Sequence, residues 1–542
     1  MLWHYFPGIL AIASIALADV TFNVVGFPDS EGEKFGVMID NKITELSSSA
    51  ATFPLWSGKV AGTSSSAYQY VQLSASGAVL KKEPFVRSLK HQKGGKTLNE
   101  FFAREVLVTS LPKIPQIYPN VEPRASKAFD DRQIGTIHLK ANPAEFSDML
   151  KHPQALDWPP VKASFRFINS DTVYSSDAVT VKVSGHGSRS YQKLSLRVKF
   201  DGAKPGGKNT FFDRPIIKLR SETADPTLIR EKLYFDALNS VGSPTAEGSY
   251  VRVYVNNKPY GFFLMVEDID APFLRSTMQR GSHTKAVGSL YKMGSHVTGK
   301  EATLQYEGPS TSNYDPGVYE NKILGANSAA EPMAQLIQFF KDLQEFDPSK
   351  PGAIRFWKAR FDLDNFLRYM AMEYLGGNWD AYWWKGNNYF MYYNPVRSIW
   401  QFIPTDFDST FNDGSRPDVV TDYKHFAASR LKRPGKDHPL ITKLILKNKD
   451  INALFEEILS SIVKGVFKPE VLNPRIDAYV SMIRDEVKWD LSISRTSNQG
   501  KRGFTLEDFN NGIKQSVQTI NYGIKPWIES RASSFPKQIS KK

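Results

Sequence analysis

At 542 residues the chain exceeds the size at which one hydrophobic core keeps growing, so two or three domains are expected. Its 41% hydrophobic and 23% charged residues are those of an ordinary globular protein, and its lack of cysteine excludes a thiol nucleophile, an iron–sulfur cluster and a cysteine-bound zinc. The net charge of +13 is spread along the chain, with local clusters at residues 80–96 and 430–439. No nucleic-acid module accompanies it, so solvated loops or acidic and phosphorylated partners are expected, not nucleic acid.

The first residues, "MLWHYFPGILAIASIALADV", carry an apolar run from Ile9 to Leu17 that ends in small residues. This is the pattern of a signal peptide cleaved after Ala18, although only His4 stands where a Lys or Arg is usual. No second apolar stretch near twenty residues follows, and "SSFPKQISKK" at the end lacks the hydrophobic tail of a lipid-anchor signal. A secreted product without a transmembrane segment in the mature chain is expected. There is also no N-x-[ST] sequon.

Residues 19–125 alternate in short β-branched runs, "DVTFNVVGF", "KFGVMID", "YQYVQLS" and "EVLVTSL", divided by Gly, Ser and Pro. They predict a small β-sandwich that closes in the proline-dense connection "PKIPQIYPNVEP". Residues 126–295 read as a mixed α/β lobe. In "DPTLIREKLYFDALNSVG", Asp225 is placed to cap a helix, Pro226 to open it and Gly242 to stop it. Strands follow at "SYVRVYVNN" and "YGFFLMVED". Residues 296–335, rich in Gly, Ser, Thr and Asn, read as a long flexible loop, and residues 336–535 as a mostly helical lobe. In "DNFLRYMAMEYLGG", Phe366, Leu367, Met370, Ala371, Tyr374 and Leu375 share one apolar face.

The chemistry concentrates in "NWDAYWWKGNNYFMYYNPVRSIWQFIPTDFDSTFNDG", Asn378 to Gly414. Asp380 follows the helix stop at Gly376 and Gly377. Asn388 opens an aromatic strand, Asn394-Pro395 turns the chain, and "IWQFIP" returns to Asp406 and Asp408. Read as an extended segment, the last two aspartates lie on one side and can share a hard cation. A loop Asp, an Asn, a hairpin and a metal-binding Asp is the order by which kinases assemble phosphoryl transfer. The same residues also suit a buried aromatic hairpin with polar ends, or an aromatic carbohydrate-binding surface. Upstream, "VKVSGHGSRSYQKLSLRVKF" supplies Gly185 and Gly187 and a run in which Lys193, Arg197 and Lys199 alternate with apolar residues. "IIKLRSETADP" adds Lys218 and Arg220 on one strand face, and Glu267, ending "YGFFLMVED", is placed to pair with one of those cations.

Taken in order, "SGHGSRSYQKLSLRVKF", "IKLRSETADPTLIREKLYFDAL", "VRVYVNNKPYGFFLMVEDID", "EYLGGNWDAYWW" and "FIPTDFDSTF" resemble the CotH kinase family, over roughly residues 128–530. The signal peptide and N-terminal β domain resemble the secreted and surface members of mucoralean fungi. The resemblance implies an α+β fold: an atypical bilobal protein-kinase-like domain at residues 126–535 behind the β-sandwich. It implies binding of ATP with Mg²⁺ or Mn²⁺ and phosphorylation of Ser or Thr in spore-coat or extracellular proteins. Under it, Asp380 is the catalytic aspartate, Asn388, Asp406 and Asp408 hold metal, and Lys193, Lys218, Arg220 and Glu267 are cofactor-binding candidates. Arg230 would be a structural partner. Here "GNNY" replaces the His-Asn of bacterial members, so Asn387 competes with Asn388. Fungal relatives are also surface invasins that bind a host receptor, which gives the alternative of a secreted or cell-surface binding protein with little catalysis.

Overall fold

In a computed structural model, the described residues are 19–61, 67–89, 95–119, 126–202, 209–279, 286–294, 300–325, 333–411, 418–426, 437–495, 497, 499–501 and 503–539. The expected signal peptide lies outside them, as do parts of both basic clusters and of the 296–335 segment. The fold is α+β. The chain divides into two units, one comprising residues up to Val108 with Phe167–Val173, the other Thr109–Arg166 with Tyr174 onward.

The first unit is built on short strands: β1 Val20–Val25, β2 Lys34–Ile39, β3 Lys42–Glu45, β4 Leu55–Val60, β5 Ala67–Leu73, β6 Val79–Lys82, β7 Arg87–Ser88 and β8 Glu100–Phe101. One sheet runs β4-β1-β8. A second runs β3-β2-β5-β6, with β7 also on β5. Alternation sends Phe22, Val24, Val37 and Tyr70 into a single apolar core shared by the two sheets. The run "EVLVTSL" forms no strand: Val106 and Val108 are exposed there. Alternation alone does not make a strand where no neighbouring edge is offered.

In the second unit, β9 Gly135–Ala141, β10 Val161–Ile168, β11 Val173–Val183, β12 Leu196–Phe200, β13 Ile216–Arg220, β14 Gly248–Val255 and β15 Lys258–Glu267 close a barrel ordered β10-β11-β12-β13-β15-β14-β9. The β14–β15 hairpin turns on Asn256 and Asn257, both at positive φ. Asn tolerates that region well enough to build the tight primed turn. Between β13 and β14 runs the helix Arg230–Ser240, stopped at Gly242 in the left-handed region. The helix starts four residues later than Pro226 would place it. Asp225 still accepts from the Arg230 amide (2.9 Å), but its other oxygen is taken by Thr227 (2.8 Å), which holds residues 225–229 in a turn.

A second sheet, ordered β17-β16-β18-β19, joins β16 Leu290–Met293, β17 Tyr319–Ile323, β18 Tyr389–Asn394 and β19 Ile399–Pro404. Against it packs the helix Leu363–Gly376, whose expected apolar face is fully buried. Gly377 ends that helix at φ +59, and a Cβ there would strike the Trp527 ring at 2.4 Å. The helices Lys449–Gly465, Pro469–Leu491 and Ile524–Ile539 complete the unit. Among the described residues no helix is long and apolar enough to cross a membrane.

Candidate functional site

The β18–β19 hairpin sets the site's frame. Tyr389 pairs with Pro404, and just beyond them the Thr405 amide donates to the Asn388 carbonyl (2.9 Å). The loop preceding β18 and the loop following β19 therefore leave the sheet together, although Asp380 and Asp408 are far apart in sequence.

On the first loop, Asp380 is surrounded by donors. Asn388 donates its side-chain amide to the Asp380 carboxylate (3.0 Å) and main-chain carbonyl (2.9 Å), Asn387 donates at 3.2 Å, and Lys385 pairs at 2.5 Å. Both asparagines thus serve Asp380, and Asn388, at φ +55, reaches it twice. Lys385 was not singled out in the sequence. Its position one turn after Asp380, ahead of the Gly386 stop, was the available signal.

On the second loop, Phe407 is buried against Tyr234 and Phe235 of the Arg230–Ser240 helix, with ring centroids 4.7 and 5.5 Å away. That anchor leaves Asp406 and Asp408 on one side. They do not reach it through extended backbone as expected, because Asp406 sits at φ +65; the kink at Asp406 does the work. Both carboxylates converge on one nitrogen of Arg220, Asp406 Oδ1 at 2.6 Å and Asp408 Oδ2 at 3.2 Å from Nη2. Nε of the same guanidinium pairs with Glu222 (3.1 Å) and with Glu231 of the helix. Burial pushes the Asp406 carboxyl up, but Arg220 outweighs it and holds the acid below its ordinary value. Burial prevails for Glu222 and Glu231, which are both pushed up. Arg230 braces this loop from beneath: it is fully buried, paired with Asp225, and donates to the Thr410 carbonyl at 3.1 Å.

The remaining cofactor-binding candidates separate. Lys218 pairs with Asp268 at 2.9 Å. Glu267, expected to take a cation of β13, instead pairs with Arg214 at 3.0 Å, and the residue after it takes Lys218. The register explains this: Glu267 lies opposite Ile217, on the other face of the pleat from Lys218. Lys193 precedes β12 rather than lying on it. It is buried, with Asp490 of the Pro469–Leu491 helix at 3.1 Å and the Phe262 carbonyl as partners, and so is not brought together with Lys218 and Arg220. Glu231 and Asp268 went unread in the sequence, since an acid one position into a helix or just past a strand is commonplace.

A divalent cation fits this donor set in one way. Among the described residues no group of three or more His, Asp or Glu is arranged to hold a metal, but Asp406 and Asp408 already focus two oxygens on a single positive charge. Mg²⁺ is commonly held by one or two carboxylates with phosphate and water completing its shell.

The chain belongs to the CotH kinase protein family, whose model matches residues 181–535. It is similar to Invasin CotH3 of Rhizopus delemar, 28% identical over 98% of this chain and 86% of that protein. Spore coat protein homolog 1 of the same fungus is 25% identical over 96% of this chain and 82% of its own length. Inner spore coat protein H of Bacillus subtilis is 24% identical over 56% of this chain and 75% of its own.

Proposed function

We propose that this protein is an atypical, bilobal protein kinase that moves the terminal phosphoryl group of ATP to Ser or Thr hydroxyls of spore-coat or extracellular proteins. The observation that carries it is Arg220, which ties strand β13 to Glu231 of the following helix while facing Asp406 and Asp408. A strand-borne cation paired with a helix carboxylate, beside a metal-binding Asp, is how kinases position nucleotide phosphates. Asp380 would accept the acceptor hydroxyl's proton, with Asn388 and Asn387 fixing its orientation. Lys385 would exchange its Asp380 contact for the transferred phosphoryl oxygens. Asp406, Asp408 and Asn388 would hold Mg²⁺ or Mn²⁺, which supplies charge neutralisation between the phosphates. Catalysis of this kind asks for positioning and electrostatics more than covalent help.

The test is thermal stabilisation by Mg-ATP together with transfer of labelled phosphate to a Ser-rich acceptor or to the protein itself. Wild type is expected to show both and Asp408→Ala neither. A wild type indifferent to Mg-ATP and without transfer would end the kinase reading.

A second reading draws on the relatives named invasins. The turn Pro395–Ser398 at the far end of the hairpin is exposed, with Val396 44% accessible, and would serve as a receptor-binding tip on a secreted or cell-surface protein. Host-cell binding that survives Asp408→Ala and falls with Val396→Asp would support it.

A further inference from the structure

The loop that carries Asp380 is fastened from outside the hairpin by a segment without regular secondary structure. Residues 301–308 form neither helix nor strand and lie in the stretch that reads from sequence as a flexible loop, yet Ala302, Thr303 and Leu304 are completely buried. Their main-chain groups are tied to the Asp380 loop instead of to a sheet. Ala302 donates its amide to the Gly386 carbonyl (2.9 Å), and its carbonyl accepts from the Tyr389 hydroxyl (2.7 Å). The Thr303 carbonyl accepts from the Tyr382 hydroxyl (3.2 Å). Tyr382, Gly386 and Tyr389 bracket Lys385, Asn387 and Asn388, the three side chains that contact Asp380, so residues 301–304 act as a strap across that loop.

His438 joins the strap to the loop. Its side chain is 4% exposed and stacks on Tyr382, with ring centroids 5.1 Å apart. Nδ1 lies 3.2 Å from the Trp383 carbonyl oxygen, and Nε2 lies 3.3 Å from the Glu301 carboxylate. Strap, ring and loop meet at Gly386, which sits at φ +58: a Cβ there would stand 3.1 Å from the Ala302 carbonyl oxygen and 3.2 Å from both Glu301 Cβ and His438 Nε2. Both ring nitrogens thus face acceptor oxygens. A neutral imidazole carries one N–H and can donate to one of them, whereas the imidazolium donates to both. With its second proton His438 links Glu301 to Trp383. Without it, one of the two contacts sets lone pair against lone pair. Histidine changes charge between about pH 5 and 8.

The other titratable and charged groups around this junction have other partners. Tyr382, and beyond it Tyr389 and Tyr319, are pushed up by burial and stay neutral. Lys300, next to Glu301 in the chain, pairs with Asp315, and Lys385 pairs with Asp380. Asp437, next to His438, acts on Tyr382 and on Lys443, whose ammonium donates to the Leu343 carbonyl at 2.9 Å. Burial pushes Glu373 up to about 8, so it titrates near the same range. It accepts from the Trp383 amide, however, while His438 meets the Trp383 carbonyl.

We propose that His438 and Glu301 form a pH-sensitive latch: the imidazolium fastens the 301–304 strap to the turn Tyr382–Lys385 and so fixes the loop that carries Asp380, and loss of its proton releases the strap. The latch stands apart from the kinase reading, since it concerns how the loop is held and not what Asp380 does there.

Hydrogen–deuterium exchange of the full chain, corrected for the intrinsic pH dependence of amide exchange and followed in a peptide covering residues 300–306, tests it. In wild type that peptide should exchange roughly tenfold faster at about pH 8 than at about pH 5.5. Glu301→Ala and His438→Gln should exchange at the faster rate at both pH values. Glu301→Gln should stay protected at both, because its amide group can accept from the imidazolium or donate to the neutral ring. Lys300→Gln, a neighbouring charge outside the latch, should keep the wild-type dependence. If the buried His438→Gln fails to fold, the two Glu301 variants still decide the matter. Equal wild-type protection at both pH values overturns the latch. So does a pH dependence that survives in the Glu301 variants, which would belong to Glu373. Phosphoryl transfer without pH-dependent protection would sink the latch and leave the kinase reading standing, and pH-dependent protection without transfer would do the reverse.

Discussion

Each unit sets an arginine among carboxylates, and the two differ in how completely they are satisfied and how far they are closed to solvent. In the first unit Arg87 makes a two-pronged contact with Glu83, 2.9 Å from Nε and 2.7 Å from Nη2, and reaches Glu100 at 3.4 Å. It also donates to the carbonyls of Phe101 and Arg104, and Tyr68 and Tyr70 cap Glu100 at 2.8 Å each. Every partner of Arg87 is in place and almost nothing is open to solvent. In the second unit Arg220 faces four acids. Two of them, Glu222 and Glu231, are pushed up by burial, and the other two, Asp406 and Asp408, remain 38% and 26% exposed. The same chemistry holds a sheet pair together in one place and leaves two carboxylates open to solvent in the other. Saturation and access separate a structural ion cluster from a candidate site.

That contrast predicts different responses to substitution. The largest effect should come from Glu83→Ala, which strands the buried Arg87 and should cost about 3–5 kcal/mol by chemical denaturation. Mg-ATP should still stabilise the second unit of that variant, and a loss of nucleotide response there would break the contrast.

Next comes Glu373, at the base of the Asp380 loop, which accepts from the Trp383 amide at 2.9 Å. Burial pushes its carboxyl up to about 8 from an ordinary 4.5, against the hydrogen bonds from Trp383 and Tyr382. The folded state therefore prefers the protonated acid. Its contribution to stability is complete below about pH 4.5 and is lost progressively as pH rises toward 8. Glu373→Gln, neutral throughout, should be the more stable protein by about 3 kcal/mol at pH 7. The difference should vanish near pH 4, and melting curves across that range decide it.

Arg220→Lys should cost about 1–2 kcal/mol. An ammonium cannot reach Glu231 and the Asp406–Asp408 pair through two separate, rigidly spaced nitrogens as the guanidinium does, so the response to Mg-ATP should weaken more than the fold does. Asp408→Ala should be smaller still in stability, under about 1 kcal/mol for a partly exposed ion pair, while removing the Mg-ATP response altogether. That inversion, a small structural cost with a large functional one, is the mirror image of Glu83→Ala.

Much of the frame could be read along the chain. The helix Leu363–Gly376, its glycine stop, the aromatic hairpin and the β14–β15 turn follow from apolar periodicity and from Gly and Asn at left-handed positions, all of which are local. The residues at the hairpin's ends could be read as well, because a hairpin brings its flanks together by construction. The N-terminal run "EVLVTSL" had the right alternation but no partner edge, and Lys193 sat in an alternating run that becomes a strand only from Leu196.

The amino-acid sequence by itself determined the local elements and the polar positions at their ends. Tertiary structure alone decided the pairings: Arg220 meets Asp406, 186 residues away, Glu231 joins them from a helix, and Lys193 is drawn off to Asp490. The physical reason is that hydrogen-bonded periodicity acts over a few residues, whereas an ion pair is fixed by where two backbones happen to meet. The register of β13 against β15, which put Asp268 rather than Glu267 beside Lys218, is not written in either strand alone.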